Sequence, residues 1–141
     1  AVHHVLDKKD FFSEMYRVLK PGGKFCLGDV YVDTPVATFL NGFLDKYNSM
    51  GHKGMFLGPE TATDLVAAGF TVEVAELRPY GWQFKSRENI GHFCKLLFGI
   101  DLADEHAITQ AIEDILGIEK RGEWWEMNWE LYFVKAGRPA G

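Results

Sequence analysis

Four side chains in the sequence have the chemistry of a general base: His3, His4, Asp29 and His52. Histidine titrates close to neutral pH, and a positioned carboxylate can also take up a proton, so both residue types suit proton transfer. His3 and His4 are adjacent, and in an extended chain their side chains would point to opposite sides. We therefore expect only one residue of this pair to face a given site.

Each of these residues also has a structural interpretation. One histidine of the pair could be an ordinary hydrogen-bonded side chain, and Asp29, which ends an apolar stretch, could cap or turn the next connection. His52 lies in the glycine-spaced stretch 51–58, which could be a lid over a site or a surface connection. Tyr31, just beyond Asp29, could contact a substrate or simply pack. The residue types alone leave these alternatives open.

Several other chemistries lack their sequence signatures. The chain contains no G-x-S-x-G, H-E-x-x-H or P-loop motif, and its five histidines do not have the spacing of a metal cage. The two cysteines, Cys26 and Cys94, lie far apart outside any C-x-x-C pattern, which excludes a disulfide scaffold and fits a reducing compartment. We therefore expect a cytoplasmic protein that needs no metal.

The composition is typical of a soluble globular domain. Of the 141 residues, 47% are apolar and 25% are charged, which is enough apolar material for a core. The net charge of −5 and the lack of a basic run argue against nucleic-acid and membrane-surface partners. No apolar stretch approaches the roughly 18 residues of a membrane span. We expect neither a nucleic acid nor a membrane as partner.

Apolar periodicity and turn residues predict an α/β order of elements. A helix capped by Asp7 should end before Pro21, and the turn at 21–23 should lead into an apolar strand over 24–32, buried on both faces as in a parallel sheet. The chain before this helix, 1–6, is typical of the exit of a strand. The later predicted elements are a helix starting at 34, a short helix over 59–68, a strand near 70–77, helices within 86–99 and 108–116, and a strand over 125–133.

The sequence R-V-L-K-P-G-G at 17–23, followed by an apolar strand that ends at Asp29, resembles the helix, turn and fifth strand of class I S-adenosylmethionine-dependent methyltransferases. The H-H-V sequence at 3–5 resembles the segment that leaves the fourth strand in this family. The stretch 129–135 resembles the seventh strand, paired antiparallel with a sixth strand near 70–77. The resemblance implies a partial Rossmann-like α/β sheet, containing strands five, six and seven with their covering helices.

This resemblance also implies a function and a set of site residues. The function is methyl transfer from the cofactor S-adenosylmethionine to a small, apolar acceptor, as in the small-molecule members of the family. His3 and His4 would contact the cofactor, and His4 and Asp29 would be candidates for catalysis. Insertions at 34–58, as a substrate lid, and at 86–117, as added helices, are expected within the domain. The implied acceptor-binding residues are Tyr31, Phe43, His52, Phe56 and Trp82.

The sequence departs from the family pattern at the cofactor site. The family holds its cofactor through a glycine-rich loop and an acidic residue on early strands, and Gly22, Gly23 and Gly28 do not form G-x-G-x-x-G. Without such a loop, the affinity for the cofactor should be poor. We therefore expect this chain to be the C-terminal part of the domain, lacking the N-terminal cofactor half and inactive alone.

Two other functions are compatible with the α/β pattern. The chain could be a non-catalytic interaction or substrate-gating module that binds a partner, or a second copy of itself, through an open sheet edge. A dinucleotide-dependent oxidoreductase would share the pattern, but its glycine fingerprint is also missing. Aromatic residues at helical or strand spacing, among them Phe43 and Trp82, are more often core residues than substrate contacts.

Overall fold

A computed structural model describes residues 1–141, with helices and strands that confirm the α/β class. Their bounds in chain order are α1 (Lys8–Val18), β1 (Lys24–Asp29), α2 (Pro35–Thr38), α3 (Asp45–Tyr47), α4 (Glu60–Ala67), β2 (Thr71–Phe84), α5 (Arg87–Phe98), α6 (Glu105–Ile115), β3 (Ile118–Arg121) and β4 (Trp124–Gly137). A 3₁₀ turn occupies Val2–His4, and a π-helical segment, Phe39–Leu44, joins α2 to α3. None of the helices has the length and apolar character needed to cross a membrane.

All four strands belong to one sheet, in the order β1-β4-β2, and β3 also pairs with β4. β1 runs antiparallel to β4, in a register that places Asp29 opposite Tyr132. The expectation of a strand buried on both faces in a parallel sheet is therefore wrong, because β1 lies at one end of the strand order beside an antiparallel neighbour. Its residues alternate between faces, so Leu27 and Asp29 are buried whereas Cys26 is exposed.

The N-terminal stretch forms a 3₁₀ turn at Val2–His4, and its interpretation as the exit from a preceding strand stays a prediction. The His4 N–H donates to the Ala1 carbonyl at 3.1 Å, and the Val5 N–H donates to the Val2 carbonyl at 2.9 Å. Burial of Val2 in the core accompanies this turn. Side chains of successive residues point in less divergent directions about the chain axis in a 3₁₀ turn than in a strand, where they point to opposite sides. The rings of His3 and His4 consequently lie 4.1 Å apart between centroids, and the expected opposite orientation is wrong.

Local capping signals predicted the helix starts well. The Asp7 carboxylate accepts a hydrogen bond from the Asp10 N–H at 3.0 Å at the start of α1. Ser86 likewise accepts from the Asn89 N–H at 3.2 Å at the start of α5, and Gly99 ends that helix with φ of 64°. Each cap satisfies a backbone group that the helix leaves without a partner, which is why the bounds follow the sequence.

The chain divides into two compact units. The first contains residues 1–32, 55–78 and 131–141, and the second contains 33–54 and 79–130. β2 and β4 therefore contribute residues to both units. The core of the first unit packs α1 and α4 against the inner faces of the strands. Its buried members are Val2, Phe12, Leu27, Leu57, Leu65, Phe70, Val134 and Ala136.

In the second unit, α5 and α6 pack at close range across Gly91. A methyl group added at Gly91 would overlap the carbonyl oxygen of Glu105 and the hydroxyl of Thr109 on α6. Beside this contact, Cys94 is buried against Met127, and burial raises the pKa of its thiol to about 12. A thiol with this pKa is inert at neutral pH, so Cys94 is a core residue.

The close contact at Gly91 predicts that a glycine-to-alanine substitution has opposite effects on the free energy of unfolding at Gly91 and at Gly42. Gly91→Ala should lower the free energy of unfolding by about 1–3 kcal/mol, because the added methyl meets backbone that cannot move freely. Gly42→Ala, within the π-helical segment, meets nothing within 4 Å and should raise it by about 0.4–1 kcal/mol. Urea unfolding of both variants measures these effects. Equal effects at the two positions would contradict the close packing of α5 and α6.

Candidate functional site

In the first unit, Asp29 and His3 are joined by two hydrogen bonds. Asp29 Oδ1 lies 2.9 Å from His3 Nδ1, and Asp29 Oδ2 accepts from the His3 backbone N–H at 3.1 Å. An ionised carboxylate can only accept hydrogen bonds, so His3 Nδ1 must carry the proton. The end of β1 and the N-terminal 3₁₀ turn are thereby tied together.

Asp29 is buried, with 5% of its surface exposed, and it is nevertheless held in the ionised form. Burial by itself would raise the pKa of Asp29. The Val30 N–H, which donates to Oδ1 at 2.7 Å, and the two donors of His3 outweigh burial and lower the pKa below its ordinary value. A carboxylate with a lowered pKa is a weak base at neutral pH. This geometry therefore favours a positioning role for Asp29 over proton abstraction.

His4 is exposed next to this pair. The pKa of His4 is lowered, first by loss of hydration and then by the positive charge that His3 can carry, while the Asp29 carboxylate opposes the shift. A histidine with a lowered pKa is neutral at physiological pH and can accept a proton. The roles of His4 in cofactor contact and in catalysis remain predictions. As a base in catalysis, His4 is better suited than Asp29.

Phe56 lies against the N-terminal turn that contains His3 and His4. Its ring centroid lies 5.9 Å from that of His3, and the neighbouring Met55 N–H donates to the His3 carbonyl at 2.7 Å. Tyr31 forms an isolated parallel bridge with Leu57, and its ring lies 4.7 Å from that of Tyr132. Both predicted acceptor residues of the first unit are thus partly buried, and Phe56 is in direct contact with the histidine turn.

Phe43 and Trp82 lie in aromatic groups of the second unit. The Phe43 ring lies 5.8 Å from Phe39 and 4.5 Å from Tyr47, and the Trp82 ring lies 4.9 Å from Trp129. Such ring contacts stabilise a core whether or not a ligand binds. The packing supports the core interpretation of both residues, and their contact with an acceptor stays a prediction.

His52 lies in a short connection that Asn41 and Asp45 hold in place. Asn41, from the π-helical segment, accepts from the Gly54 N–H at 2.7 Å and donates to the Gly54 carbonyl at 2.9 Å. The Asp45 carboxylate accepts from the His52 backbone N–H at 2.8 Å and from Lys53 Nζ at 3.1 Å. Because these bonds hold the three consecutive residues 52–54, they restrict the conformation of the connection.

The same contacts fix the protonation pattern of the His52 ring. The pairing of Asn41 with Gly54 identifies the amide oxygen, and His52 Nδ1 lies 3.0 Å from that oxygen. An amide oxygen is only an acceptor, so Nδ1 must carry a proton. In the neutral ring, Nε2 is then the basic nitrogen. No local sequence pattern indicates this arrangement, because Asn41 lies 11 residues from His52.

A cavity of about 250 Å³ lies in the second unit, and sequence reasoning missed it. Two of its lining residues, Asn128 and Glu130, occupy the polar positions of an alternating strand, which ordinarily face solvent. Nothing in the local pattern distinguishes them from other polar strand residues. The remaining lining residues are Pro35, Val36, Pro79, Leu116 and Trp129.

The glycine turn does not provide a cradle for S-adenosylmethionine. The Gly22 N–H donates to the Arg138 carbonyl at 2.9 Å, and the Gly23 N–H donates to the Lys20 carbonyl at 2.8 Å. A cofactor loop needs backbone donors that are directed at the ligand. The donors of this turn are satisfied within the chain, so the turn stabilises the fold and does not fit the cofactor.

Comparison with known proteins supports the methyltransferase resemblance. Residues 1–27, which include the histidine turn, α1 and the glycine turn, match a family described as "Methyltransferase domain". A comparison with curated proteins found no match.

Two solved structures share the fold of this chain. One is a protein from Bacillus halodurans C-125 described as a candidate methyltransferase, with 21% identity and a TM-score of 0.62, and the match covers 99% of this chain and 61% of that chain. The other is the YcgJ protein from Bacillus subtilis, with 16% identity and a TM-score of 0.61, covering 100% and 62%. At these identities the likeness concerns the fold alone. The chain spans less than two thirds of either structure.

The hydrogen bonds to Asp29 predict a specific dependence of stability on pH. The folded pKa of Asp29 lies below its unfolded value of about 3.9, so its contribution is present above that value and is lost as pH falls through the folded pKa. Asp29→Asn should therefore lower the free energy of unfolding at pH 7 by about 1.5–3 kcal/mol, with a smaller difference in acid. Urea unfolding across pH measures this. Asp64→Asn is the control, and an equal loss there would refute the assignment.

The contact between His52 Nδ1 and the amide oxygen of Asn41 predicts the tautomer of the His52 ring. At a pH above the pKa of the imidazole, nitrogen NMR should show a protonated Nδ1 in the native protein and in Asn41→Asp, which keeps an acceptor oxygen. Asn41→Leu removes that oxygen, and the protonated-Nδ1 signature should be lost. Asn89→Leu on α5 serves as the matched control. An unchanged His52 spectrum in Asn41→Leu would show that Asn41 does not set the tautomer.

Proposed function

We propose that the full-length protein transfers a methyl group from S-adenosylmethionine to a small, apolar acceptor. The family match over residues 1–27 and the fold similarity support methyl transfer in general. The observation that carries the proposal is the junction of His3 with Asp29. It connects the family-matched N-terminal turn to the carboxyl end of β1, and open α/β sheets bind their ligands at the carboxyl ends of strands.

Methyl transfer needs alignment more than side-chain chemistry. The cofactor supplies a methyl group on a sulfonium, and alignment of reacting groups can contribute about 7–11 kcal/mol. In this proposal Asp29 orients the histidine turn, and both histidines contact the cofactor. His4 serves as the base when the acceptor is a hydroxyl or an amine, because its lowered pKa keeps it neutral. A carboxylate acceptor would need no base.

Strong binding of S-adenosylmethionine is proposed only for the full-length protein, which would contain a glycine-rich loop in addition to these 141 residues. The 141 residues contain no G-x-G-x-x-G sequence, and the donors of the glycine turn are used within the chain. We therefore propose that these residues act as the C-terminal part of the methyltransferase domain and are inactive by themselves. A cytoplasmic location remains part of the proposal.

The proposed acceptor residues differ in their support. Phe56 contacts the His3 ring, and His52 is held with a defined basic nitrogen, so both have the surroundings of a binding residue. Phe43 and Trp82 are engaged in aromatic packing, and Tyr31 contacts Tyr132. The substrate-lid role of 34–58 and the added helices of 86–117 belong to the same proposal.

A second candidate is an interaction or gating module that pairs through a sheet edge, including pairing with another copy. β1 and β2 form the two ends of the strand order, and edge strands can pair with other chains. β2, however, carries Pro79, which lacks an N–H, and the charged residues Glu73, Glu76 and Arg78. These are features by which natural edges avoid pairing. They argue against association through β2.

The proposal predicts two separable results. Full-length protein supplied with labelled S-adenosylmethionine and a panel of single-ring phenols, amines and carboxylic acids should form a labelled product and S-adenosylhomocysteine. The 141-residue chain alone should show no micromolar binding of the cofactor by isothermal titration. With a phenol or amine, His4→Ala should slow the full-length protein by about 10²–10⁴-fold, because the base is removed.

His106→Ala, on an exposed position of α6, is the control for His4→Ala and should leave the rate unchanged. A full-length protein that neither binds S-adenosylmethionine nor forms S-adenosylhomocysteine would rule out methyl transfer. Micromolar binding by the 141-residue chain would instead overturn only the view that its residues lack a cofactor site.

A further inference from the structure

The cavity of the second unit has an apolar lining with two polar side chains on one strand. Asn128 and Glu130 are two residues apart on β4, so they lie on the same face of that strand. The other lining residues, Pro35, Val36, Pro79, Leu116 and Trp129, are all apolar or largely so. Binding sites for small molecules typically have this composition, with a few polar groups that orient the ligand.

The side chains of Asn128 and Glu130 make no hydrogen bond or ion pair within the chain. Glu126, on the same strand, shows the contrast, because its carboxylate lies 3.3 Å from Arg121 Nε. Glu130 is only partly buried, and every fully buried side-chain nitrogen or oxygen of the chain has a partner, so the Glu130 carboxylate is in contact with water. A hydrated carboxylate at the wall of a largely apolar cavity, not engaged by a cation of the protein, is available to a positively charged ligand that enters the cavity.

The volume of the cavity limits the size of that ligand. A volume of about 250 Å³ corresponds to about eight water molecules at about 30 Å³ each. It also lies just below the range of roughly 300–1,000 Å³ for sites of drug-sized ligands. A molecule with one six-membered ring and a one-carbon polar arm is of suitable size.

We propose that this cavity binds a small cationic amine that carries a single ring or a comparable apolar group. The ammonium would donate to the Glu130 carboxylate and to the amide oxygen of Asn128, and the apolar group would lie against the prolines, Val36 and Leu116. An ammonium supplies both the positive charge and the donors that this pair of acceptors lacks. None of the proposed acceptor-binding residues lines this cavity, so the inference goes beyond the proposed function and does not rest on it.

Binding can be tested on the chain itself without the cofactor. Benzylamine is the probe, and benzyl alcohol is the matched neutral probe of nearly the same shape. Nitrogen–proton NMR titration should show saturable shifts of the Asn128 side-chain amide and of the backbone amides near Leu116 and Glu130. Benzylamine should bind at least about tenfold more tightly than benzyl alcohol, because hydrogen bonds to charged groups are worth about 1.5–3 kcal/mol.

Two variants separate the role of Glu130 from general charge effects. Glu130→Gln should weaken benzylamine binding by about tenfold and leave benzyl alcohol binding unchanged, because only the charged partner is lost. Glu123→Gln makes the same change of net charge in the exposed turn between β3 and β4 and should alter neither affinity. Native-like spectra of both variants confirm that they are folded.

Equal affinity of the native chain for benzylamine and benzyl alcohol would overturn the proposal, and this comparison needs no variant. Shifts confined to residues outside the cavity, or equal losses in Glu130→Gln and Glu123→Gln, would also overturn it. None of these results bears on whether the full-length protein transfers methyl groups. Conversely, a protein without methyltransferase activity could still bind the amine at Glu130, so the two failures are distinguishable.

Discussion

A carboxylate that is removed from water is stable only when hydrogen bonds replace the lost hydration, and Asp29 imposes this constraint on the first unit. Its oxygens accept from the Val30 N–H and from two groups of His3, a residue 26 positions away. The register of β1 with β4 fixes where this carboxylate lies, opposite Tyr132. The N-terminal turn is then positioned by Asp29, and with it the orientation of both histidines that the proposed function uses.

In the second unit, the uncharged side-chain amide of Asn41 positions a histidine, as the Asp29 carboxylate does in the first unit. Asn41 uses its donor and its acceptor on Gly54, which fixes the direction of the amide and therefore the tautomer of His52. Asn41 belongs to a π-helical segment. Such segments are rare in proteins, and those that occur are often found at functional sites. The segment and the connection it holds thus form one structural unit around an imidazole.

Local chemistry made much of the fold predictable, whereas pairing and tertiary contacts did not. The caps at Asp7 and Ser86 act within one turn of helix, so the starts of α1 and α5 followed from sequence. The burial of β1 was mispredicted because an apolar run does not reveal which strands lie beside it. The N-terminal turn depends on Val2 and His3 meeting residues distant in sequence. The cavity near Glu130 depends on how α2, β2, the end of α6 and β4 pack together, which no periodic pattern encodes.

The polar groups of the molecule differ in whether the chain itself satisfies them. Asp29 and Asn41 are engaged by several partners within the protein, so their chemistry is directed to the fold and to neighbouring histidines. Glu130 and Asn128 line a cavity, and their side chains make no hydrogen bond or ion pair within the chain. Their polar atoms are in contact with water, because every fully buried side-chain nitrogen or oxygen of the chain has a partner. In the proposed complex, a positively charged ligand replaces this water and completes the hydrogen bonds of both groups.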